Sequence, residues 1–194
     1  MPKLHTLLQN GPYDSMTKLS RLLIIGGTGR DAGKSSLASL LLSKYSDRGV
    51  VGVKITPHPH PDKSGLTFLS GNGNFHVYEE HNVTTNKDTS RMLKAGALKV
   101  YLIVSEEPAL SAAFTALLTH LPSEAPIICE SPALRRIIEP GLFIIMLHDE
   151  GTNPERKNID DLRPLADLTL TLKDLNQGKA DIIDLDADIT WYLK

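Results

Sequence analysis

Gly33-Lys34-Ser35 closes a glycine-rich run, GGTGRDAGKSS, that spans residues 26–36. Phosphate binds well where several backbone N–H groups converge, and a tight turn entering a helix N-terminus supplies them. Glycines let the backbone approach the anion and adopt positive φ. A lysine just inside the helix can reach the outer phosphates of a nucleotide, and the next hydroxyl can ligate Mg²⁺. Lys34 and Ser35 hold those two places. Thr28, Gly29, Arg30, Asp31, Ala32, Gly33 and Ser36 would complete the cradle. The spacing is unusual, because the position where the commonest pattern has its first glycine is Thr28, between Gly27 and Gly29.

Other residues of the right chemistry stand at the ends of apolar runs. Lys54 is read as ending the strand in VVGVKIT. At the carboxyl edge of a parallel sheet, beside a phosphate loop, it can neutralise a transferring phosphate or grip an acidic substrate. Glu130 closes PIICE, where a carboxylate can hold Mg²⁺ or orient an attacking group. The expected catalytic set is Lys34, Lys54 and Glu130, with Ser35 and Glu130 as the metal ligands. Arg91 is placed to face an anionic ligand, or else to form an ordinary helix salt bridge, with Asp88 or Thr89 as the helix cap. Asp31 is a weaker candidate for positioning water or substrate. His58 and His60 are two apart, so on an extended chain they point the same way, with His76 and His81 following. They have no zinc-type spacing and no cysteine partner, and polar loop histidines are the commoner outcome. Asn86-Lys87-Asp88 superficially matches a guanine-reading motif, but it precedes a helix rather than following a late strand, and it is discounted.

These residues need strands and helices to position them. Apolar, β-rich runs at 21–25, 50–55, 99–104, 125–130, 142–147 and 168–172 predict strands buried on both faces. Helical patterns predict helices over 34–45, 87–97 and 108–121, with Gly49 and Gly96 as terminators. The alternation predicts a three-layer α/β fold with a mainly parallel central sheet and helices on both faces. Residues 1–20 read as a lead-in and 21–194 as one domain. A connection as long as 56–86, with only weak strand character at 66–69 and 75–79, is usually functional or mobile. The tail from Asp174 is ambiguous between strand and helix.

With 194 residues, 41% hydrophobic and 23% charged, the chain suits one domain of ordinary composition. A net charge of −2 and the lack of a basic cluster point away from nucleic acid as a partner. No apolar stretch reaches membrane-spanning length, and the single cysteine, Cys129, fits a reducing cytoplasm.

Gly27 to Ser35 resembles the lengthened phosphate loop of dethiobiotin synthetase and of the cobyrinic and cobyric acid amidating synthases. These P-loop NTPases carry a glycine-threonine pair, a few variable residues, then GK with Ser or Thr. Lys54 resembles a strand-end lysine of dethiobiotin synthetase. Asn86-Lys87-Asp88-Thr89-Ser90-Arg91 with Ala95-Gly96-Ala97 is similar to a helix of the molybdopterin-guanine dinucleotide biosynthesis accessory protein. Both families end the matching strand in glutamate-glycine, whereas here Ser131-Pro132 follows Glu130. The resemblance covers about 22–147. It implies a P-loop NTPase using Mg²⁺ and ATP, or GTP, and forming a homodimer. Two functions stay open: an ATP-dependent enzyme that activates or phosphorylates a small acidic acceptor in cofactor-type metabolism, and a slowly hydrolysing accessory protein acting on a partner enzyme. A degenerate fold with a structural role is a third reading. Base recognition is expected from the late strands, at His148-Asp149-Glu150 or Lys173-Asp174.

Overall fold

A strand covered on both faces has no side to give to water, and the apolar runs fold accordingly. The computed structural model describes residues 16–58, 62–148 and 159–194. Its first strand, β1 (Thr17–Gly27), buries Leu22 and Ile24 in one core layer and Leu23 and Ile25 in the other. β1 begins at Thr17, so residues 17–20, expected in the lead-in, belong to the strand. There follow α1 (Lys34–Lys44), β2 (Val51–Thr56), β3 (Leu66–Gly71), β4 (Phe75–Glu80), α2 (Asp88–Lys94), β5 (Lys99–Ser105) and α3 (Leu110–Leu118). The chain continues through β6 (Ile127–Glu130), β7 (Ile138–Met146), β8 (Leu168–Leu170), α4 (Leu172–Asn176), β9 (Ile183–Leu185) and β10 (Trp191–Leu193).

Eight strands form one sheet in the order β3-β4-β5-β2-β6-β1-β7-β8. The six from β5 to β8 run parallel, as their buried runs predict. α1 and α2 cover one face through Leu37, Leu41 and Met92, and α3 covers the other through Leu110, Phe114 and Leu117. Among the described residues no helix is long and apolar enough to cross a membrane.

The 56–86 connection carries regular structure of its own. β3 and β4 form an antiparallel hairpin on the sheet edge, with β4 pairing β5. The pattern in Phe75-His76-Val77-Tyr78 was faint because only part of each face is covered: Val77 is fully buried while Phe68, on the outermost strand, is 54% exposed. Asn72 closes the turn, its N–H donating to the Phe75 carbonyl at 2.9 Å and its side chain accepting from Asn74 N–H at 2.8 Å. The ambiguous tail contains both kinds of element, α4 and then the β9–β10 hairpin. Trp191 seats that hairpin, packed edge-on against Tyr45 and donating its indole N–H to the Arg21 carbonyl at 3.1 Å.

Candidate active site

β1 delivers the glycine-rich segment to the carboxyl edge of the sheet, and α1 leads away from it. Gly33 is the N-cap of α1 with φ 94°, and a Cβ there would lie 2.7 Å from the Leu172 side chain. Both facts require glycine. Lys34 folds back over Gly27, where a Cβ would come within 2.8 Å of its side chain, and donates to the Gly29 carbonyl. Asp31 takes a left-handed φ of 64°, the kind of backbone turn that can aim successive amides at one anion.

Thr28, standing where the usual pattern has glycine, is fully buried and tied to His148. Its N–H pairs with the Met146 carbonyl at 3.1 Å, which continues the β1–β7 ladder. Its hydroxyl accepts from the His148 N–H at 3.3 Å and lies 2.9 Å from His148 Nδ1. His148 Nε2 lies 2.7 Å from the Arg30 carbonyl. A carbonyl can only accept, so Nε2 carries the proton and Nδ1 accepts from Thr28. The imidazole therefore staples the two ends of the loop's first turn together. His148 was expected to read a base, but its ring is engaged with the loop instead. Asp149 and Glu150 lie outside the described residues, as does His60.

Four polar side chains at the loop converge. Ile25, Glu130 and Lys54 are in register across β1, β6 and β2, so sheet pairing sets Glu130 beside Lys54. Ser35 Oγ lies 3.0 Å from Asp88 Oδ1 and 3.1 Å from Glu130 Oε2, and its one proton can be donated to either carboxylate. Lys54 Nζ donates to Asp88 Oδ2 and to Glu130 Oε1, both at 2.7 Å. Burial by itself would lower the Lys54 pKa, but Glu130 and Asp88 outweigh it and hold the ammonium above the ordinary lysine value. Burial would likewise raise Asp88, and the Lys54 charge outweighs it in the opposite sense, keeping the carboxylate below its usual range. Asp88 was expected only as a cap. Lys87 instead stands at the N-cap of α2, with no side-chain cap bond, and the Asp88 carboxylate points into the site.

A cleft of about 1150 Å³ opens over this cluster. Gly29, Arg30, Asp31, Gly33, Lys34, Ser35 and Ser36 line it, whereas Thr28 and Ala32 do not. Their side chains are buried beneath the loop. Arg91 lines the cleft too, half-exposed and 4.0 Å from Asp88. Of the histidines, His58 reaches the cleft, His76 lies in β4, and His81 is paired through its backbone to Gly65. Among the described residues, no three His, Cys, Asp or Glu side chains gather as a metal cluster.

On the loop's far side, α4 is started by a reciprocal cap. Thr171 Oγ1 accepts from Asp174 N–H, and the Asp174 carboxylate accepts from Thr171 N–H. This cap holds Leu172 against Gly33. It also occupies Asp174, one of the residues expected to read the base. Thr171→Ala should cost about 1 kcal/mol of stability, read as a lower urea midpoint at unchanged slope. An unchanged midpoint would mean that the cap does not hold the helix in place.

No family profile and no curated protein matches the chain. Among solved structures it is similar to the crystal structure of the "apo" form of LpxK from Aquifex aeolicus in complex with ATP, at 19% identity and a TM-score of 0.51. The match covers 82% of this chain and 51% of that one, so the chain spans about half the length of its neighbour. The chain thus shares the three-layer α/β fold of that structure, with a mainly parallel eight-stranded sheet.

Proposed function

We propose that this protein binds a Mg-nucleotide, with ATP first in order, and transfers or activates through its γ-phosphate toward a small acidic acceptor. The observation that carries the reading is the convergence of Ser35, Lys54, Asp88 and Glu130 beneath a cradle of loop amides that ends in Lys34. The ATP in the LpxK structure supports it. A hard divalent cation takes oxygen donors, and Ser35 Oγ with the two carboxylates is such a set; phosphate oxygens and water commonly fill the rest of a Mg²⁺ shell. The donor chemistry fits. Bound there, Mg²⁺ would offset charge on the outer phosphates.

The chain's own groups do the remainder. The loop amides and Lys34 hold the β- and γ-phosphates in line. Lys54 lies at the edge facing the acceptor and neutralises charge that builds on the transferring group. The acceptor oxygen bonds to the γ-phosphorus as the bond to the bridging oxygen breaks, and the nucleoside diphosphate leaves with the electron pair. A carboxylate acceptor has no proton to lose. That suits a site whose two carboxylates are already engaged by Lys54 and Ser35.

Thermal unfolding with Mg²⁺ and either ATP or GTP tests the reading. Stabilisation of about 3–4 kcal/mol is expected for the cognate nucleotide at several hundred times Kd. No shift with either nucleotide at millimolar concentration would overturn it. Larger stabilisation by GTP would change the base and keep the site.

A further inference from the structure

A second cavity, of about 850 Å³, adjoins the phosphate cleft, and nothing in the phosphate chemistry uses it. The two share Pro57, Leu66, Leu102 and Ser105 as walls, so they form one continuous depression. The sheet's register shows how they connect. Glu130 pairs with Lys54, Lys54 with Leu102, Leu102 with Tyr78, and Tyr78 with Phe68. Side chains of paired residues stand on the same face of a sheet, and neighbouring strands lie about 4.8 Å apart. One row therefore runs from the carboxylate of the phosphate site, through the catalytic lysine and one apolar residue, to the aromatic hairpin. Tyr78 lies two strands, about 10 Å, from Lys54 along that row.

The hairpin end is a flat-sided wall. The His76 and Tyr78 rings are stacked 6.1 Å apart at 21°, and Phe68 packs edge-on to Tyr78 at 5.8 Å. Leu102 and Val104 on β5 and Pro108, Ala109 and Ala112 around the start of α3 also line it. Lys63 brings its ammonium over the Tyr78 ring, 5.6 Å from the centroid. The lining is largely apolar and aromatic, with Asn72, Asn74, Ser105 and Glu106 as its polar groups and Lys63 as its cation, while Lys54 lines the adjoining cleft. A cavity of this size and character takes a small organic molecule.

We infer that this cavity is the acceptor subsite, and that the acceptor is a small amphipathic acid. Its planar or apolar body lies over Leu102 against the His76–Tyr78 wall, and its acidic reacting group points at Lys54. The inference rests on the proposed nucleotide reading for the word acceptor, while the binding of such an acid does not. Lys63 attracts the anion on entry, and the aromatic wall sets the plane of the bound body.

The probe is 1-anilinonaphthalene-8-sulfonate, a flat apolar anion, titrated into the full folded chain and followed by fluorescence. One saturable site is expected. Ala112→Trp, at an exposed position facing the cavity, should weaken binding about tenfold or more by filling it, and Lys63→Glu should weaken it about fivefold by reversing the rim charge. Both variants should keep the wild-type thermal midpoint and wild-type stabilisation by Mg-ATP. A probe insensitive to both substitutions, absent from the folded protein, or displaced competitively by Mg-ATP would overturn the inference while leaving the nucleotide reading intact. Binding that responds to both variants in a protein that Mg-ATP fails to stabilise would remove the acceptor role and, with it, the nucleotide reading.

Discussion

Lys34→Ala should weaken Mg-nucleotide binding by roughly two decades in Kd, the effect of removing about 3 kcal/mol of charge-assisted contact with the outer phosphates. The direction follows from position. Lys34 lies in the first turn of α1, folded over Gly27, with its ammonium held at the Gly29 carbonyl inside the loop. An incoming phosphate gives that ammonium a better acceptor than a neutral carbonyl. Alanine preserves the helix, so the thermal midpoint without nucleotide should barely move. Lys34→Arg should not rescue, because a planar guanidinium on a longer stem does not fit a path that lies against the Gly27 backbone. Calorimetric titration with Mg-ATP checks both variants. A Kd within about threefold of wild type for Lys34→Ala would show that the loop does not bind phosphate through this lysine.

The parts of this site visible in the chain are those whose function imposes a local pattern. Phosphate cradling demands glycines, a lysine and a hydroxyl within a few residues, so the loop stands out directly. Parallel strands demand unbroken apolar runs, so Lys54 and Glu130 could be placed at strand ends from the runs that precede them. Two contributors left no such pattern. His148 lies 120 residues from Thr28 and meets it only because β7 pairs with β1. Nothing in His148-Asp149-Glu150 specifies a loop staple. Asp88 at the start of α2 read as a cap, since a carboxylate in a helix's first turn usually stabilises that end. Its actual direction depends on Lys54, on a strand 34 residues earlier. The hairpin was faint for another reason. Edge strands bury less of each face, and the period-two signal fades with it.

Lys54→Met should leave Mg-ATP binding within about threefold of wild type and cut turnover by about 10²–10³, the usual effect of losing one charge-stabilising donor at a reacting centre. In the wild-type chain the ammonium sits between Asp88 and Glu130, at the inner end of the proposed acceptor row. Methionine keeps much of the stem and removes the charge, so packing against β6 survives. The variant carries a second signature, independent of substrate. Lys54 holds Asp88 below the ordinary carboxylate pKa, so the pair contributes stability above pH 4 that disappears as pH falls through the lowered folded value. Without Lys54 that depression is gone, and burial acts on Asp88 unopposed by this charge. The variant should therefore start less stable at neutral pH and lose less on acidification below pH 4 than wild type. With the ammonium removed, two carboxylates and a hydroxyl face one another, and Mg²⁺ alone should stabilise the variant more than it stabilises wild type. Unfolding curves at pH 7 and pH 3, with and without Mg²⁺, separate these effects from lost catalysis. Wild-type turnover in Lys54→Met would remove the lysine from the chemistry, and an unaltered acid profile would break the link between Lys54 and Asp88.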